Sequence, residues 1–237
     1  MVLYPQETIE SKSLLKRFSH GRRFRRAIEL LNPGAGERIV DFGTGDGHFL
    51  RLLLNLDSGC ELTGYDIEPD FLTGLNCSFG PEIATNRLRI IGNLSDLEPA
   101  YFNKLTCLEV LEHVPEANHA AVLSSMANLI GNEGSIIVSV PVEIGLTALG
   151  KNLVRVMVRQ AHEGTSLRSI LRSVFGLRVN RRINSAGAIL SHIGFNYRIL
   201  EKTFRECGLV IVQRAFSPIP ILGGLANSQV FYVLRKA

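Results

Sequence analysis

The sequence of 237 residues has no uninterrupted apolar run of the roughly 20 residues that a membrane helix needs. The nearest candidate, residues 134–150, is broken by Pro141 and Glu143. The N-terminal stretch lacks the apolar core of a signal peptide, so no export signal is expected. Cysteines are few: Cys60, Cys77, Cys107 and Cys207 are scattered, with no Cys-x-x-Cys pair. That usage fits a reducing compartment and argues against structural zinc. No internal repeat or low-complexity segment occurs. With 46% apolar and 20% charged residues the chain is expected to fold, which excludes general disorder. The expectation is a soluble cytoplasmic protein of one elaborated domain.

What is present is a strong charge asymmetry behind a net charge of +4. Residues 1–36 carry a net +4, 37–142 a net −10, 143–206 a net +7 and 207–237 a net +3. An acidic central unit lies between basic flanks. Such segregation marks either an anionic partner or a solvated face.

Short apolar segments alternate with amphipathic ones from Arg38 onward. Strands are expected at 38–42, 61–66, 88–91, 104–109 and 135–140, with helices at 46–55, 68–76 and 116–130 between them. This alternation predicts parallel crossovers and a doubly wound α/β sheet. A last helix at 196–207 and two antiparallel closing strands, 209–214 and 229–234, complete seven strands. Residues 10–31 read as a basic helical lead-in, and 143–190 as a helical insert.

Asp41-Phe42-Gly43-Thr44-Gly45-Asp46-Gly47 closes the first strand and opens a helix. Glycine lets the backbone turn sharply and approach a ligand that a Cβ would push away, and the helix amides behind it favour an anionic group. A dinucleotide fingerprint, GxGxxG, would need a third glycine where His48 stands, and no Gly-Lys-Ser/Thr of a P-loop follows.

At these residues the sequence resembles the class I S-adenosylmethionine-dependent methyltransferases, over about residues 36–142 plus the last helix and strands. Asp66, followed by Ile67, stands at the end of the second strand, where the family carries an acidic residue for the ribose. Ile91-Gly92-Asn93-Leu94-Ser95-Asp96-Leu97 is similar to the family's segment beside the adenine, with Asn93 in place of the usual Asp. Cys107-Leu108-Glu109-Val110-Leu111-Glu112-His113-Val114 resembles the small-molecule and ubiquinone-pathway O-methyltransferase branch; Asn103 before it again replaces an Asp. The resemblance implies a Rossmann-like seven-stranded sheet, mostly parallel with an antiparallel last strand, and S-adenosyl-L-methionine as cofactor. It implies cofactor contacts at Asp41, Gly43, Thr44, Gly45, Gly47, Asp66, Ile67, Asn93, Leu94 and Glu109, in a core of 37–142 within a single domain.

For the chemistry, a methyl acceptor must be held in line and, if it is a hydroxyl, deprotonated. His113 follows the fourth strand at the ligand-binding edge and has the pKa range of a base near neutrality, so it is the candidate catalytic residue. Its competing role is to cap or shape the loop. No metal is expected; the alternative is Glu109, Glu112 and His113, similar to a metal cluster of the ubiquinone branch. The insert has apolar stripes (Leu146, Leu149, Leu153, Val156, Met157; then Leu167, Ile170, Leu171, Val174) opposite basic residues. It is expected to be a cap whose apolar face packs on the sheet domain, a peripheral anionic-membrane contact through 144–182, or an oligomer or nucleic-acid contact. The basic Arg22-Arg23-Phe24-Arg25-Arg26 suits either membrane or RNA, and His192, Phe195 and Tyr197 either line the pocket or staple the last helix. The reading favoured is methyl transfer to a small-molecule or lipid-like acceptor, at oxygen. An RNA methyltransferase or RNA-binding protein, and a membrane protein with an inactive methyltransferase fold, are the alternatives; few aromatics interleave the Arg segments, which weighs against nucleic acid.

Overall fold

The computed structural model describes residues 14–144, 194–218 and 227–237, with Arg172, Leu177, Arg181, Ile183, Gly187, Ile189 and Gly223. Most of the insert, including both expected apolar stripes, lies outside the described residues, as does His192.

Seven strands form one sheet: β1 (Arg38–Phe42), β2 (Glu61–Tyr65), β3 (Leu88–Ile91), β4 (Phe102–Leu108), β5 (Ile130–Pro141), β6 (Leu209–Ser217) and β7 (Gln229–Lys236). Their order is β3-β2-β1-β4-β5-β7-β6. The first five pair in parallel, and β7 runs antiparallel between β5 and β6. The order reverses between β1 and β4, which opens a crevice at the carboxyl edge, the place where such sheets bind ligands.

Six helices are described: α1 (Leu14–Leu31), α2 (His48–Asn55), α3 (Pro69–Ser78), α4 (Gly80–Ala84), α5 (His119–Leu129) and α6 (Tyr197–Glu206). Because side chains alternate along a strand, successive residues feed two cores. Ile39, Leu62, Leu88, Ile137 and Phe231 pack with Ala27 and Leu31 of α1, Phe49, Leu50 and Leu53 of α2, and Leu75 of α3. Val40, Leu105, Ile136, Val138 and Tyr232 pack with Leu123, Met126 and Leu129 of α5 and Leu200 and Phe204 of α6. Each such aliphatic or phenyl side chain contributes roughly 1.5–3 kcal/mol on burial.

Local differences from the expected boundaries have local causes. Helix α2 starts at His48, two residues late, because Asp46 Oδ1 accepts the His48 N–H at 3.0 Å and holds the preceding residues in a turn. Strand β5 starts at Ile130 rather than Ser135, since Ile130 already pairs with Phe102 while Ser135 pairs with Lys104. The glycine-rich stretch between them bulges out of the ladder, and a Cβ on Gly134 would meet the Gly131 carbonyl at 2.9 Å. Short α4 had no counterpart in the sequence pattern, because Gly80 and Pro81 read as breakers although proline is welcome in a first helical turn. No helix among the described residues is long and apolar enough to cross a membrane.

Candidate active site

Four strand ends, those of β1 to β4, deliver the candidate residues to one edge of the sheet. After β1 the chain turns through Gly43, Gly45 and Gly47 at φ of 79°, 56° and 76°, the left-handed region that glycine tolerates. A Cβ on Gly43 would lie 2.5 Å from a Val110 methyl, and one on Gly47 2.5 Å from Leu75 Cδ2. Above Gly45 there is open space. The loop is tied to β2: Gly43 and Thr44 N–H donate to the Tyr65 carbonyl at 2.8 and 3.0 Å, and Gly45 N–H donates to Asp66 Oδ2 at 2.8 Å. The other oxygen, Asp66 Oδ1, accepts the Glu68 N–H at 3.0 Å. Asp66 thus holds the glycine loop as well as standing beside it.

The side chains of Asp41, at the end of β1, and of Thr44, in the loop itself, are buried. Thr106 of β4 donates its hydroxyl to Asp41 Oδ1 at 2.6 Å. Burial nevertheless pushes the Asp41 carboxyl up to about 6 from the ordinary 3.8. Ile67 and Leu94 do the opposite of core residues: Ile67 is 75% exposed and Leu94 36%. Asn93 precedes a 3-10 turn, Leu94–Asp96, and is exposed. Asn103 is at the other end of the sheet, where its Oδ1 accepts the Arg38 N–H at 2.9 Å, so it is a strand-end contact.

Glu109 follows β4 with φ 58°, a strained conformation for a non-glycine residue. Its N–H donates to the Ser139 carbonyl, and its Oε1 accepts the Ser139 hydroxyl at 3.3 Å. Its Oε2 lies 3.6 Å from the Arg23 guanidinium, which comes from α1 and itself lies 4.6 Å over the Phe24 ring. Arg23 was missed as a site residue, being one of four arginines in a row of five. The signal was the stripe Phe24, Ala27, Ile28, Leu31, which turns this stretch of α1 inward. Phe24 packs on His48 and Phe49 with ring centroids 4.9 and 5.9 Å apart, so α1 is fastened to the start of α2, just after the glycine loop.

Leu111–His113 form a 3-10 turn. Glu112 is fully buried; burial first, then the Glu109 carboxylate, raises its carboxyl well above the ordinary range. Its backbone carbonyl accepts from the Arg181 guanidinium, which also lies 5.4 Å over the Phe195 ring. His113 Nδ1 is 2.7 Å from the Ile189 carbonyl, and Ile189 N–H donates to the His113 carbonyl at 2.8 Å. Phe195 and Tyr197 are buried packing residues at the start of α6. Among the described residues no three His, Cys, Asp or Glu side chains are grouped to hold a metal, so Glu109, Glu112 and His113 do not assemble as one ligand set.

A twisted sheet of this strand order with a glycine loop after β1 and an acid after β2 defines the class I methyltransferase architecture. The model of a family described as a methyltransferase domain matches residues 15–178, and the chain belongs to that family, among the class I S-adenosylmethionine-dependent methyltransferases. The chain is 31% identical over 112 residues to a ubiquinone biosynthesis O-methyltransferase of Xylella fastidiosa, covering 45% of this chain and 43% of that protein. It is 28% identical over 138 residues to the protein of that name from Xanthomonas oryzae, covering 54% and 55%. The chain thus spans about half the length of the curated relatives it matches. Among solved structures, the PH0226 protein of Pyrococcus horikoshii superposes with TM-score 0.64 at 12% identity, over 99% of this chain and 97% of that one. Magnesium protoporphyrin IX methyltransferase of Synechocystis, with bound S-adenosylhomocysteine, gives 0.59 at 14%, over 95% and 88%. At such identities these structures bear on the fold alone.

The residues present fit the cofactor of that class. The open space above Gly45 is one that a Cβ would narrow, and Ile67 and Leu94 offer exposed apolar surface at the same sheet edge.

Proposed function

We propose that this protein transfers the methyl group of S-adenosylmethionine to a small-molecule or lipid-like acceptor, at oxygen. The observation that carries the reading is the convergence, at one sheet edge, of an open glycine loop, a carboxylate tied to it and two exposed apolar side chains. When bound, the cofactor supplies an electrophilic methyl on a sulfonium. The chain's residues then have to bind, align and deprotonate.

Ile67 and Leu94 offer the two walls for adenine, and the Asn93 amide oxygen accepts from its exocyclic amine. Asp66 uses one lone pair on each oxygen for the backbone and keeps others for the two ribose hydroxyls. Arg23 and Glu109 present a cation and an anion 3.6 Å apart, complementary to the carboxylate and ammonium of an amino-acid end. His113 is the general base. The Ile189 carbonyl can only accept, so Nδ1 carries the proton and Nε2 the lone pair that takes the acceptor's proton. The partial matches to ubiquinone O-methyltransferases favour a hydroxylated aromatic acceptor.

Calorimetric titration with S-adenosylmethionine, S-adenosylhomocysteine and NAD tests the cofactor. Binding of the first two and not the third is expected, and Asp66→Ala is expected to weaken it about tenfold or more. Failure of both adenosyl compounds to bind rejects the proposal. Transfer of a labelled methyl to catechol, to an aliphatic amine or to an unsaturated phospholipid then separates oxygen, nitrogen and carbon acceptors. On the accepted probe His113→Ala should cut turnover about 10²-fold with cofactor affinity kept; full turnover would remove His113 as the base.

A further inference from the structure

The residue six positions beyond His113 is also a histidine, and the mechanism above does not use it. His119 opens α5 and is buried, with its ring edge toward Phe195 at 6.4 Å between centroids. Its Nε2 lies 2.9 Å from the Leu111 carbonyl and 3.1 Å from the Val114 carbonyl. Carbonyls only accept, so Nε2 carries the proton and shares it between them. Its Nδ1 is buried with no hydrogen-bond partner among the described residues. These two carbonyls bracket His113: they stand at the start of the turn Leu111–His113 and just after its end. The His113 ring is gripped from the other side by Ile189, which binds both its Nδ1 and its backbone carbonyl. The two histidines are therefore held as opposite tautomers by the backbone oxygen atoms they bind.

We propose that His119 is a positioning residue, which locks the turn carrying His113 so that the Ile189 carbonyl can hold that ring in its Nδ1–H form, with the lone pair on Nε2. The role rests on the reading of His113 as general base. A base works only if the nitrogen that takes the proton has its lone pair aimed at the acceptor, and the partner of the other nitrogen decides which tautomer is present. Burial lowers the His119 pKa below the ordinary 6.5, which keeps Nδ1 unprotonated at neutral pH and spares that buried atom a second proton with nowhere to go. A phenyl ring at 119 would keep the packing on Phe195 and remove the donor, leaving two buried carbonyls without it.

The test is nitrogen-15 NMR of the full chain labelled at histidine, at neutral pH and without ligand. The six histidines are few enough to resolve, and His113 is assigned by the signals lost in His113→Gln. His113 is expected to show a protonated Nδ1 and a bare Nε2, and His119 the reverse. In His119→Phe the His113 signals should move away from the Nδ1–H form. His119→Gln, whose amide can donate to the same carbonyls, should return them. Affinity for S-adenosylhomocysteine should stay within about twofold in both variants, since neither removes a group assigned to the cofactor. A His113 protonated at Nε2 in the wild type, or signals unmoved in His119→Phe, overturns the proposal. A residue that merely stabilised the fold would lower the melting point and leave the His113 signals in place. Should His119→Phe fail to fold, His119→Gln decides: Nδ1–H at His113 supports the lock and Nε2–H rejects it. The spectra need no turnover, whereas the base assignment is judged on the turnover of His113→Ala, so the two can fail separately.

Discussion

Asp41 carries a charge in a place that disfavours it. The side chain is buried at the end of β1, one hydroxyl bond from Thr106 offsets part of the desolvation, and the pKa stands at about 6 against 3.8 for the ordinary group. Between those two pH values the folded chain holds a proton that the unfolded chain has released. Stability from this group is therefore lost as pH rises through that window and stays lower above it, by up to about 3 kcal/mol. Asp41→Asn keeps an acceptor for Thr106 and has no such titration. Urea unfolding at a series of pH values should show the variant gaining on the wild type from about pH 4 to about pH 6, with a constant lead beyond; parallel curves would contradict this. The residue was legible in the sequence as part of the glycine motif, but its burial was not, because burial is a property of the neighbours that close over it.

At the scale of the element, the glycine loop separates two demands that a motif cannot distinguish. Gly43 and Gly47 are required by the protein itself, since a Cβ at either would strike Val110, or Leu75 and Phe79. Gly45 faces open space, so only its left-handed φ of 56° constrains it from within. Gly43→Ala should destabilise the fold by roughly 1–3 kcal/mol through strain and overpacking. Gly45→Ala should cost the fold about 1 kcal/mol for the left-handed conformation and lower affinity for S-adenosylhomocysteine more than its stability loss explains. Thermal unfolding alongside calorimetry checks both; equal affinity loss in the two variants would contradict the distinction. Strand and helix order was readable from apolar spacing, because a period of 2 or 3.6 is local. The bulge in β5 was not, since it exists only where Ile130 finds Phe102 across the sheet.

Across the whole molecule the site joins distant parts of the chain: β2 grips the glycine loop, α1 brings Arg23 to Glu109, and Ile189 reaches back to His113. A ligand spanning that edge should stabilise the fold as one unit. At about 100 times its dissociation constant S-adenosylhomocysteine should add about 2.7 kcal/mol, and for a chain of this size each kcal/mol raises the melting temperature by roughly 2–4 °C. A melting curve unmoved by saturating ligand would mean that the edge does not bind it.

The amino-acid sequence by itself determined the doubly wound class, the strand ends that carry Gly43 to Gly47, Asp66, Asn93 and Glu109, and the family those motifs resemble. These follow from side-chain periodicity and from turns that only certain residues can make, both of which act over a few residues. Only the tertiary structure decided that Arg23 turns toward Glu109, that Asp66 holds the loop it adjoins, that Asn103 serves the far edge of the sheet, that Ile189 binds His113, and that His119 meets the Leu111 and Val114 carbonyls. Each is a contact between side chains and backbone atoms brought together by packing, and nothing in the spacing along the chain encodes which carbonyl a ring nitrogen will meet.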